Sequence, residues 1–434
     1  TFKGALHAEI PDDRVPEVEL GALLKNRTLR VMNNRYHNIV KHFSRLYGQV
    51  RFIGKHAAGV AITAGPIADY CAIMKRNGVL QTSFDMNDLT TLNILKIDIL
   101  GLSTASVLQT ASKAAGYKLD YSKVDDQKVF DRFAQGDTDG IFQFEKQTAK
   151  DILAAIKPTS IQDIIAANAL NRPAPLQLGV LDTFVDNKFN GSRHKEPWAK
   201  YTKDTYGTIV YQEHVMRICR YLAGMQWQDV DYVMKHLRQQ NSDQGDPYKK
   251  KFVEGAMKNS GMRREDAESL YDRITLYSFN KGHASAYSLI SYKAMELKVY
   301  HPLEFWYGSL FHEYDDKKIE VYKSCAVRAG CVILLPHVNA TANWSIDEID
   351  GEKCLREGLR CIKGVGPKAA EAITTNAPYS SEDDFLARVP RRSVNARVIM
   401  ALEEANALCF DDKKFLKHVV DYNASLYGRN KKIW

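Results

Sequence analysis

The sequence predicts an α+β fold that is predominantly helical. Short β-prone runs are concentrated in residues 55–101, where small residues stand beside β-branched ones, as in Gly59-Val60-Ala61-Ile62. From residue 102 onward, apolar side chains recur at helical spacing and strong strand patterns are few. We therefore expect a small β-rich portion followed by a large helical one, within the roughly two to four domains that a chain of 434 residues allows.

Composition and charge restrict the function classes. Hydrophobic residues make up 45% and charged residues 26% of the chain, as in ordinary globular proteins. No apolar run reaches the roughly 18 residues of a membrane span, so we expect no membrane. The chain begins at Thr1 without an initiator Met or a signal peptide, which suggests a fragment or a processed chain. Seven cysteines without a Cys-x-x-Cys pair indicate a reducing, cytoplasmic compartment, and the net charge of +8 permits binding to nucleic acid.

The apolar run from Leu95 to Leu102 is interrupted by one lysine and one aspartate. Because side chains alternate across a strand, Lys96 and Asp98 would share one face while apolar residues fill the other. A carboxylate in such a segment is unfavourable unless a basic group or a metal ion pairs with it. Two interpretations stay open for this stretch: a Lys–Asp pair on a solvated strand face, or a metal-binding carboxylate.

Two features precede this run. Residues 1–54 carry a helical pattern with several basic residues, namely Arg27, Arg30, Arg35, Lys41 and Arg45. They would either follow a phosphate backbone or form a solvated helix face. His56 stands before Ala57-Ala58-Gly59, small residues that allow a strand to approach another group closely, although a lone histidine is more typical of a protein core.

Helical segments with short loops follow. The pattern predicts one helix from Ser103 to Ala115 and two more within residues 146–171, divided at Lys157-Pro158. Arg172 precedes Pro173, which cannot continue a helix and fixes the backbone of its neighbour. A fixed arginine suits anion recognition, and a structural arginine at a helix end is the alternative.

A second informative stretch begins at Asn280, a residue type that starts helices. Lys281 follows it, and His283 and Tyr287 are paired at helical spacing. A cation, an imidazole and an aromatic ring beside small residues suit a nucleoside triphosphate. An ordinary amphipathic helix is the alternative, and the spacing alone favours it.

Three further segments lie on either side of that helix. Tyr211-Gln212-Glu213 opens an interrupted helix, residues 235–251 form a basic and mobile stretch, and Cys325–Leu335 is predicted as a strand.

Near the end of the chain, the turn Gly364-Val365-Gly366 before a helix start indicates a helix-hairpin-helix motif. Its glycines free backbone N–H groups for a phosphate, to which Lys363 and Lys368 would add charge. A purely structural hairpin is the alternative.

Taken in order, these segments resemble the C family of replicative DNA polymerases, the bacterial polymerase III α subunits. The resemblance runs from about residue 35 to about residue 411 and rests on eight motifs in the same order. They are His56-Ala57-Ala58-Gly59-Val60, Phe84-Asp85-Met86, Leu95 to Leu102, Phe142-Gln143-Phe144-Glu145, Arg172-Pro173, Tyr211-Gln212-Glu213, Phe279 to Tyr287, and Ile362-Lys363-Gly364-Val365-Gly366.

The resemblance implies a domain order and a set of site residues. Residues 1–54 would end the thumb, 55–101 form the second part of the palm, 102–349 the fingers, and 350–434 a helix-hairpin-helix region that grips duplex DNA. Asp98 matches the third of the metal-binding aspartates of the family, and Lys96 the lysine beside it. The matching positions for the triphosphate are Arg172, Lys281 and His283, with Gln143 and Tyr287 as weaker candidates, and those for DNA are His56, Lys363, Gly364, Gly366 and Lys368.

Several features depart from the family. Nucleotidyl transfer needs two Mg²⁺ ions, which one aspartate cannot hold. The other two aspartates of the family lie in a Pro-Asp-x-Asp-x-Asp segment that this sequence lacks. Ala174 and Gly282 also replace a usual glycine and serine. We therefore expect a divergent, viral (phage) member, acting in the cytoplasm of a bacterium or of an infected host.

The leading hypothesis is the carboxy-terminal part of a split or truncated DNA polymerase. It would act on primer-template DNA and dNTPs, with a second polypeptide supplying the first palm half and the remaining aspartates; use of a sliding clamp is left open. A non-catalytic accessory protein that binds primer-template DNA is the alternative. A helix-hairpin-helix module of DNA repair, without affinity for nucleotides, is a third and weaker one.

Overall fold

In the computed structural model of the protein, helices predominate and the sheets are small, which confirms the predicted fold class. The structure describes residues 31, 54–56, 58–76, 78–99, 101–191, 196–237, 247–276 and 278–429. The predicted thumb segment therefore lies almost wholly outside the described residues, and so do residues 238–246 of the basic stretch 235–251. The chain divides into two compact units, residues 1–101 and 102–434.

The first unit contains two antiparallel strand pairs and one short helix. Strand β1 (Gly59–Ile62) pairs with β4 (Leu95–Asp98), and β2 (Ile73–Arg76) pairs with β3 (Val79–Thr82). Helix α1 (Met86–Thr91) precedes β4, and the side chain of Asp85 accepts hydrogen bonds from the first backbone N–H groups of this helix. This arrangement places β4 beside β1 with Gly59 directly opposite Asp98.

The second unit is built from helices and one small sheet. In chain order its helices are α2 (Ser103–Ala115), α3 (Gln127–Ala134), α4 (Gln147–Ile156), α5 (Ile161–Leu170), α6 (Pro173–Gln177), α7 (Val180–Asn190), α8 (Gln212–Arg217), α9 (Trp227–Leu237), α10 (Pro247–Ser260), α11 (Arg264–Leu276), α12 (Lys281–Tyr300), α13 (Pro302–Phe311), α14 (Asp316–Arg328), α15 (Pro367–Asn376), α16 (Glu382–Arg388), α17 (Ala396–Glu404) and α18 (Asp412–Arg429). Strand β5 (Ile333–Leu334) runs parallel to β7 (Glu352–Arg356), and β6 (Ser345–Ile349) runs antiparallel to it.

The largest core surrounds α12, which is buried on most sides. Trp306 on α13 is fully buried there, and Gly308 allows α13 to approach α2 closely, because a Cβ at Gly308 would lie 2.8 Å from the carbonyl oxygen of Val107. Lys293 is buried in the same region and donates hydrogen bonds to Glu296 at 2.7 Å and to the backbone oxygen of Lys123. This pairing offsets the large cost of burying a charge.

Three smaller cores lie elsewhere in the described part of the second unit. One joins apolar residues of segment 198–234 with those of α10 and α11. Another lies under the helix-hairpin-helix segment and includes Ile362, Val365 and Phe385. The smallest joins Leu334 and Cys354 of the sheet with Val419 of α18.

Most local predictions are confirmed and one is wrong. Helix α2 has the predicted bounds, α4 and α5 are divided at Lys157-Pro158, and the side chain of Asn280 accepts a hydrogen bond from the backbone of His283 at the start of α12. The predicted strand Cys325–Leu335 is wrong, because α14 continues to Arg328 and only β5 is extended. The apolar run after Cys331 suggested a longer strand, but Cys325 and Ala326 are buried as part of the helix.

Candidate functional site

Lys96 and Asp98 lie on the same face of β4, as the alternation of side chains predicts. The Nζ atom of Lys96 lies 2.7 Å from Oδ1 and 2.9 Å from Oδ2 of Asp98. The hydrogen bond from Lys96 holds the pKa of Asp98 below its usual value. The carboxylate is therefore ionised at neutral pH and is paired with a basic neighbour.

Gly59 makes room for this pair from the neighbouring strand. A Cβ atom at Gly59 would lie 2.8 Å from Cε of Lys96, 2.9 Å from Nδ1 of His56 and 3.2 Å from Oδ1 of Asp98. The Nδ1 atom of His56 accepts hydrogen bonds from the backbone N–H groups of Ala58 (3.2 Å) and Gly59 (2.6 Å). Nδ1 thus acts as a hydrogen-bond acceptor in this geometry and lies 3.7 Å from Oδ1 of Asp98.

A single carboxylate does not make a complete site for two metal ions. Carboxylate oxygens are ligands that Mg²⁺ prefers, so the chemistry of Asp98 suits one. However, the described residues contain no group of three or more His, Cys, Asp or Glu side chains that could hold an ion.

A row of aromatic and basic side chains runs along one side of α12 in the second unit. Phe279, His283 and Tyr287 follow one another at a spacing of four residues, with ring centroids 5.6 Å and 4.2 Å apart. The guanidinium of Arg172 lies 4.9 Å from the Phe279 ring at one end, and Phe142 lies 5.1 Å from Tyr287 at the other. The structure thus brings together Arg172, His283 and Tyr287, which the resemblance had grouped from distant parts of the sequence.

The two residues at the ends of this row, Arg172 and Phe142, border a cleft of about 840 Å³, whereas Phe279, His283 and Tyr287 are not among the residues that line it. Phe142 and Arg172 line the cleft, together with Gln143, which has a left-handed backbone (φ 69°) and accepts a hydrogen bond from Asn171 at 3.4 Å. The volume lies in the range of small-molecule sites. Gln143, which the resemblance assigned to the nucleotide site, therefore lines the same cleft as Arg172.

Some of the charged side chains at the cleft form ion pairs and others do not. Glu145 and Glu313 both lie near Nζ of Lys318, at 3.5 Å and 3.6 Å. Arg172 and Lys146 also line the cleft, and no carboxylate in the described part of the chain lies within ion-pair distance of either. Arg172 and Lys146 are thus exposed cations that are available to bind an anion. Lys146 was missed from the sequence because nothing local distinguishes it from a solvated lysine.

The electrostatics of His283 favour its neutral form. Burial lowers the pKa of this histidine, and the positive charge of Arg172 lowers it further. An uncharged imidazole at neutral pH presents a flat ring rather than a second cation. His283 is therefore suited to stacking and hydrogen bonding, with Arg172 carrying the charge.

Lys281 lies at the start of α12 but points to a different set of partners. Its Nζ atom pairs with Asp204 and lies 5.4 Å from the Tyr211 ring, and Asp204 also contacts Nε2 of the buried His214 at 3.1 Å. Burial raises the pKa of Asp204, but hydrogen bonds from His214 and Lys281 outweigh this effect and leave the pKa strongly lowered. The structure therefore does not place the amino group of Lys281 in the row formed by Arg172 and His283.

The motif Tyr211-Gln212-Glu213 has a structural role that the sequence did not reveal. Segment 210–212 forms a parallel bridge with Phe279, in which Gln212 donates to Phe279 at 2.8 Å and Phe279 donates to Val210 at 3.0 Å. The Glu213 carboxylate accepts hydrogen bonds from the backbone N–H of Lys281 at 3.0 and 3.2 Å. It thereby satisfies a free N–H group of α12 and fixes the start of the helix that carries the aromatic row.

The predicted glycine turn is confirmed near the end of the chain. Gly364 has φ 102°, a conformation that favours glycine, and Gly366 directly precedes α15. Ile362 and Val365 are buried, whereas Lys363, Gly364, Gly366 and Lys368 are exposed. The backbone N–H groups at the start of α15 thus lie beside two lysines on an open surface.

Comparisons with known proteins place this architecture in one class. The model of the bacterial DNA polymerase III alpha subunit finger domain matches residues 98–260, and that of the bacterial DNA polymerase III alpha NTPase domain matches residues 6–101. A helix-hairpin-helix motif model matches residues 330–413. The chain therefore belongs to the C family of DNA polymerases, the family of the bacterial polymerase III alpha subunits.

Individual relatives of this chain are DNA polymerase III alpha subunits. The chain is similar to DNA polymerase III subunit alpha of Aquifex aeolicus (strain VF5), with 33% identity over 393 residues that cover 87% of this chain and 34% of that protein. The subunit of Thermus aquaticus is 33% identical over 407 residues, covering 88% of this chain and 33% of that protein. The subunit of Bacillus subtilis (strain 168) is 32% identical over 381 residues, covering 84% and 34%. The chain spans about a third of the length of the curated relatives it matches.

None of the described helices is both long enough and apolar enough to cross a bilayer.

Proposed function

We propose that this chain takes part in template-directed DNA synthesis, in which a nucleotide is transferred from a dNTP to the 3′-hydroxyl of a primer. The observation that carries the proposal is the cleft of about 840 Å³, at which Arg172 and Lys146 have no carboxylate partner among the described residues. The aromatic row that ends on this cleft adds flat ring faces beside the cations. Together they suit a ligand that has both phosphates and a base.

Within this proposal the predicted nucleotide-binding residues have different roles. Arg172 is well placed to bind phosphate oxygens in a bidentate manner. The neutral His283 and Tyr287 would contact the base or sugar, and Gln143 would border the ligand. Lys281 would reach a triphosphate only by leaving Asp204, so we assign it to the site only in the ligand-bound state.

The role of Asp98 depends on further ligands. Asp98 would hold Mg²⁺ together with carboxylates from outside the described residues, and two such ions would supply activation of the primer hydroxyl and neutralisation of the phosphates. Lys96 positions the Asp98 carboxylate. Leu95, Ile97 and Ile99 of the same strand region are 59%, 42% and 69% exposed, which supports the packing of more polypeptide against this apolar face.

The finer parts of the hypothesis stay proposals. We place the remaining aspartates in a second polypeptide, as in a split or truncated polymerase, and we assign duplex DNA to the surface of Lys363, Gly364, Gly366 and Lys368, with His56 as a further DNA contact. The viral origin and the use of Mg²⁺ stay predictions from the sequence. Action in the cytoplasm of a bacterium or an infected host also stays one.

Primer extension tests the function directly. The chain is mixed with a polypeptide that carries a Pro-Asp-x-Asp-x-Asp segment, primer-template DNA, four dNTPs and Mg²⁺. Extension should require both proteins, and Asp98→Asn should abolish it while leaving DNA binding intact. The matched control is Asp69→Asn, because Asp69 is an exposed aspartate of the same unit. Activity retained by Asp98→Asn would refute the catalytic assignment, and tight DNA binding without extension in any mixture would favour the accessory protein.

Nucleotide binding is tested separately from extension. Calorimetric titration of the chain with dATP should give binding that weakens about tenfold or more in Arg172→Ala, since a hydrogen bond to a charged group contributes roughly 1.5–3 kcal/mol. Deoxyadenosine, which lacks phosphates, should bind both proteins equally. Lys118→Ala is the control, because Lys118 is an exposed lysine away from the residues of the cleft. Equal loss of affinity for dATP in the control would contradict the assignment.

A further inference from the structure

A second group of aromatic rings lies on the surface of the 198–276 segment, away from the residues of the cleft. A π-helical turn (Ile218–Leu222) continues α8 and presents Tyr221 to solvent. Trp227 begins α9, and these two side chains are 60% and 53% exposed. The other tryptophans in the described part of the chain, Trp198, Trp306 and Trp344, are buried. A single exposed ring is common on a protein surface, whereas a group of exposed rings with cations beside it is suited to bind a ligand.

The rings are held in a defined arrangement by the core beneath them. Tyr201 and Tyr221 are nearly parallel, with centroids 6.2 Å apart and an interplanar angle of 24°. Tyr221 and Trp227 meet edge to face at 6.4 Å. Tyr201 packs against the core that contains Ile218 and Leu222, so the aliphatic neighbours are buried and the rings remain at the surface. We call Tyr201, Tyr221 and Trp227 the aromatic platform.

Cations flank the aromatic platform. Nζ of Lys200 lies 4.9 Å from the Tyr201 centroid, and the guanidinium of Arg220 lies 5.9 Å from the Trp227 centroid, where a hydrogen bond to the Met225 carbonyl oxygen at 2.9 Å anchors it. Arg217 is exposed four residues before Tyr221. In the described parts of the chain, no carboxylate lies within ion-pair distance of these three cations.

Three aspartates of the same segment are each paired with a lysine. Asp204 is bound to Lys281, Asp229 to Lys251 and Asp231 to Lys235. The positive charge at the aromatic platform is therefore not cancelled by these neighbours. The surface combines exposed ring faces with available cations.

This combination identifies the chemistry of the ligand. Single-stranded nucleic acids bind to surfaces on which bases stack against aromatic side chains while lysines and arginines contact the phosphates. An apolar protein partner would instead require exposed aliphatic area, and Ile218 and Leu222 are buried. We propose that the aromatic platform binds the unpaired bases of a single DNA strand.

The position of the platform suggests which strand it binds. A continuous helical segment, residues 212–222, leads from the bridge between Tyr211 and Phe279 to Tyr221. Ten residues of helix span roughly 15 Å, which equals roughly four stacked nucleotides at 3.4 Å each. An unpaired template strand near the aromatic row would thus reach the platform within a few nucleotides. Assignment to the template rests on the proposed function, whereas the stacking of unpaired bases does not.

Binding is measured on the full chain without dNTP or metal. The probe is fluorescein-labelled oligo(dT) of 20 nucleotides, followed by anisotropy, with quenching of tryptophan fluorescence as a second readout. Each of the variants Tyr221→Ala and Trp227→Ala should lower the affinity about fivefold or more, the lower end of the range for loss of one stacked base. Trp227→Phe should retain most of the affinity and lose most of the quenching. Tyr314→Ala is the matched control, because Tyr314 is 82% exposed and belongs to no aromatic stack among the described residues.

A primer-template with a 20-nucleotide 5′ template overhang is compared with the blunt duplex. The platform variants should weaken binding to the overhang substrate alone. Affinity within twofold of the wild type in both variants would overturn the proposal, as would an equal loss for the blunt duplex or in Tyr314→Ala. Failure of the wild-type chain to bind oligo(dT) would also overturn it. Because these measurements require no nucleotidyl transfer, they fail independently of primer extension, which is scored separately.

Discussion

Replacement of Gly59 by alanine tests how the strand pair holds Asp98. The new methyl group would lie 2.8 Å from Cε of Lys96, whereas ordinary contact begins at 3.4 Å, so Cε must move by about 0.6 Å. The same methyl lies 2.9 Å from Nδ1 of His56 and 3.2 Å from Oδ1 of Asp98. Three neighbours must shift together, and two of them form the ion pair.

The expected result is a change in ionisation rather than unfolding. The groups that must move are side chains at a partly exposed surface, and Gly59 has no left-handed backbone that would penalise alanine. Displacement of Lys96 weakens the hydrogen bond that lowers the pKa of Asp98, so this pKa should rise towards its ordinary value. The thermal midpoint should change little.

Carbon-detected NMR titration of the Asp98 carboxyl group measures the pKa, and extension by the reconstituted enzyme measures the consequence. Gly101→Ala is the matched control, because a Cβ at Gly101 meets nothing within 4 Å. An unchanged pKa for Asp98 in Gly59→Ala, together with undiminished extension, would refute the view that Gly59 is required for the geometry of this pair. A similar rise in Gly101→Ala would refute it as well.

Three further predictions concern the second unit. Asn280→Ala removes the side-chain acceptor at the start of α12 and should lower the free energy of unfolding, measured by urea denaturation, by about 1 kcal/mol relative to the control Asn259→Ala. No loss of stability would mean that the hydrogen bond from Lys281 to Glu213 is enough to hold the start of the helix. Glu357→Ala removes the buried one of the two carboxylates that lie 3.0 Å from Nζ of the buried Lys323, while the more exposed Glu320 remains, and should lower the free energy of unfolding by about 1.5–3 kcal/mol. Adding Lys323→Met should recover part of this loss, and a double variant as unstable as the single one would contradict this expectation. Because the fold lowers the pKa of His283, the unfolded chain binds the proton more tightly, so the free energy of unfolding should fall as the pH drops below about 6.5. This fall should be shallower in His283→Gln, and parallel curves of unfolding free energy against pH for the two proteins would contradict the prediction.

Local features of the site could be predicted from the sequence because they depend on local geometry. The shared face of Lys96 and Asp98 follows from the alternation of a strand, and the contact between His283 and Tyr287 follows from the turn of a helix. The start of α12 follows from the side-chain chemistry of Asn280. In each case the interacting residues are at most four positions apart.

Long-range contacts could not be predicted in this way. Lys281 is paired with Asp204, 77 residues away, and no local pattern marks that aspartate as its partner. Phe142 completes the aromatic row from a loop, and Lys146 borders the cleft from the start of α4. The resemblance to a family grouped Arg172 with His283, but it assigned Lys281 to the same group without its ion pair. Only the packing of distant segments decides which cations are already paired.

The ion pair of Lys281 also links the start of α12 to the segment before α8. Asp204 pairs with Lys281, Glu213 binds the first backbone N–H of the same helix, and Phe279 is hydrogen-bonded to Val210 and Gln212. A movement of segment 204–213 must therefore shift the residues that begin the aromatic row. Since residues 212–222 form one helical run, a strand that binds at Tyr221 would act on the same segment. We therefore expect the proposed nucleotide cleft and the aromatic platform to be coupled through residues 204–222.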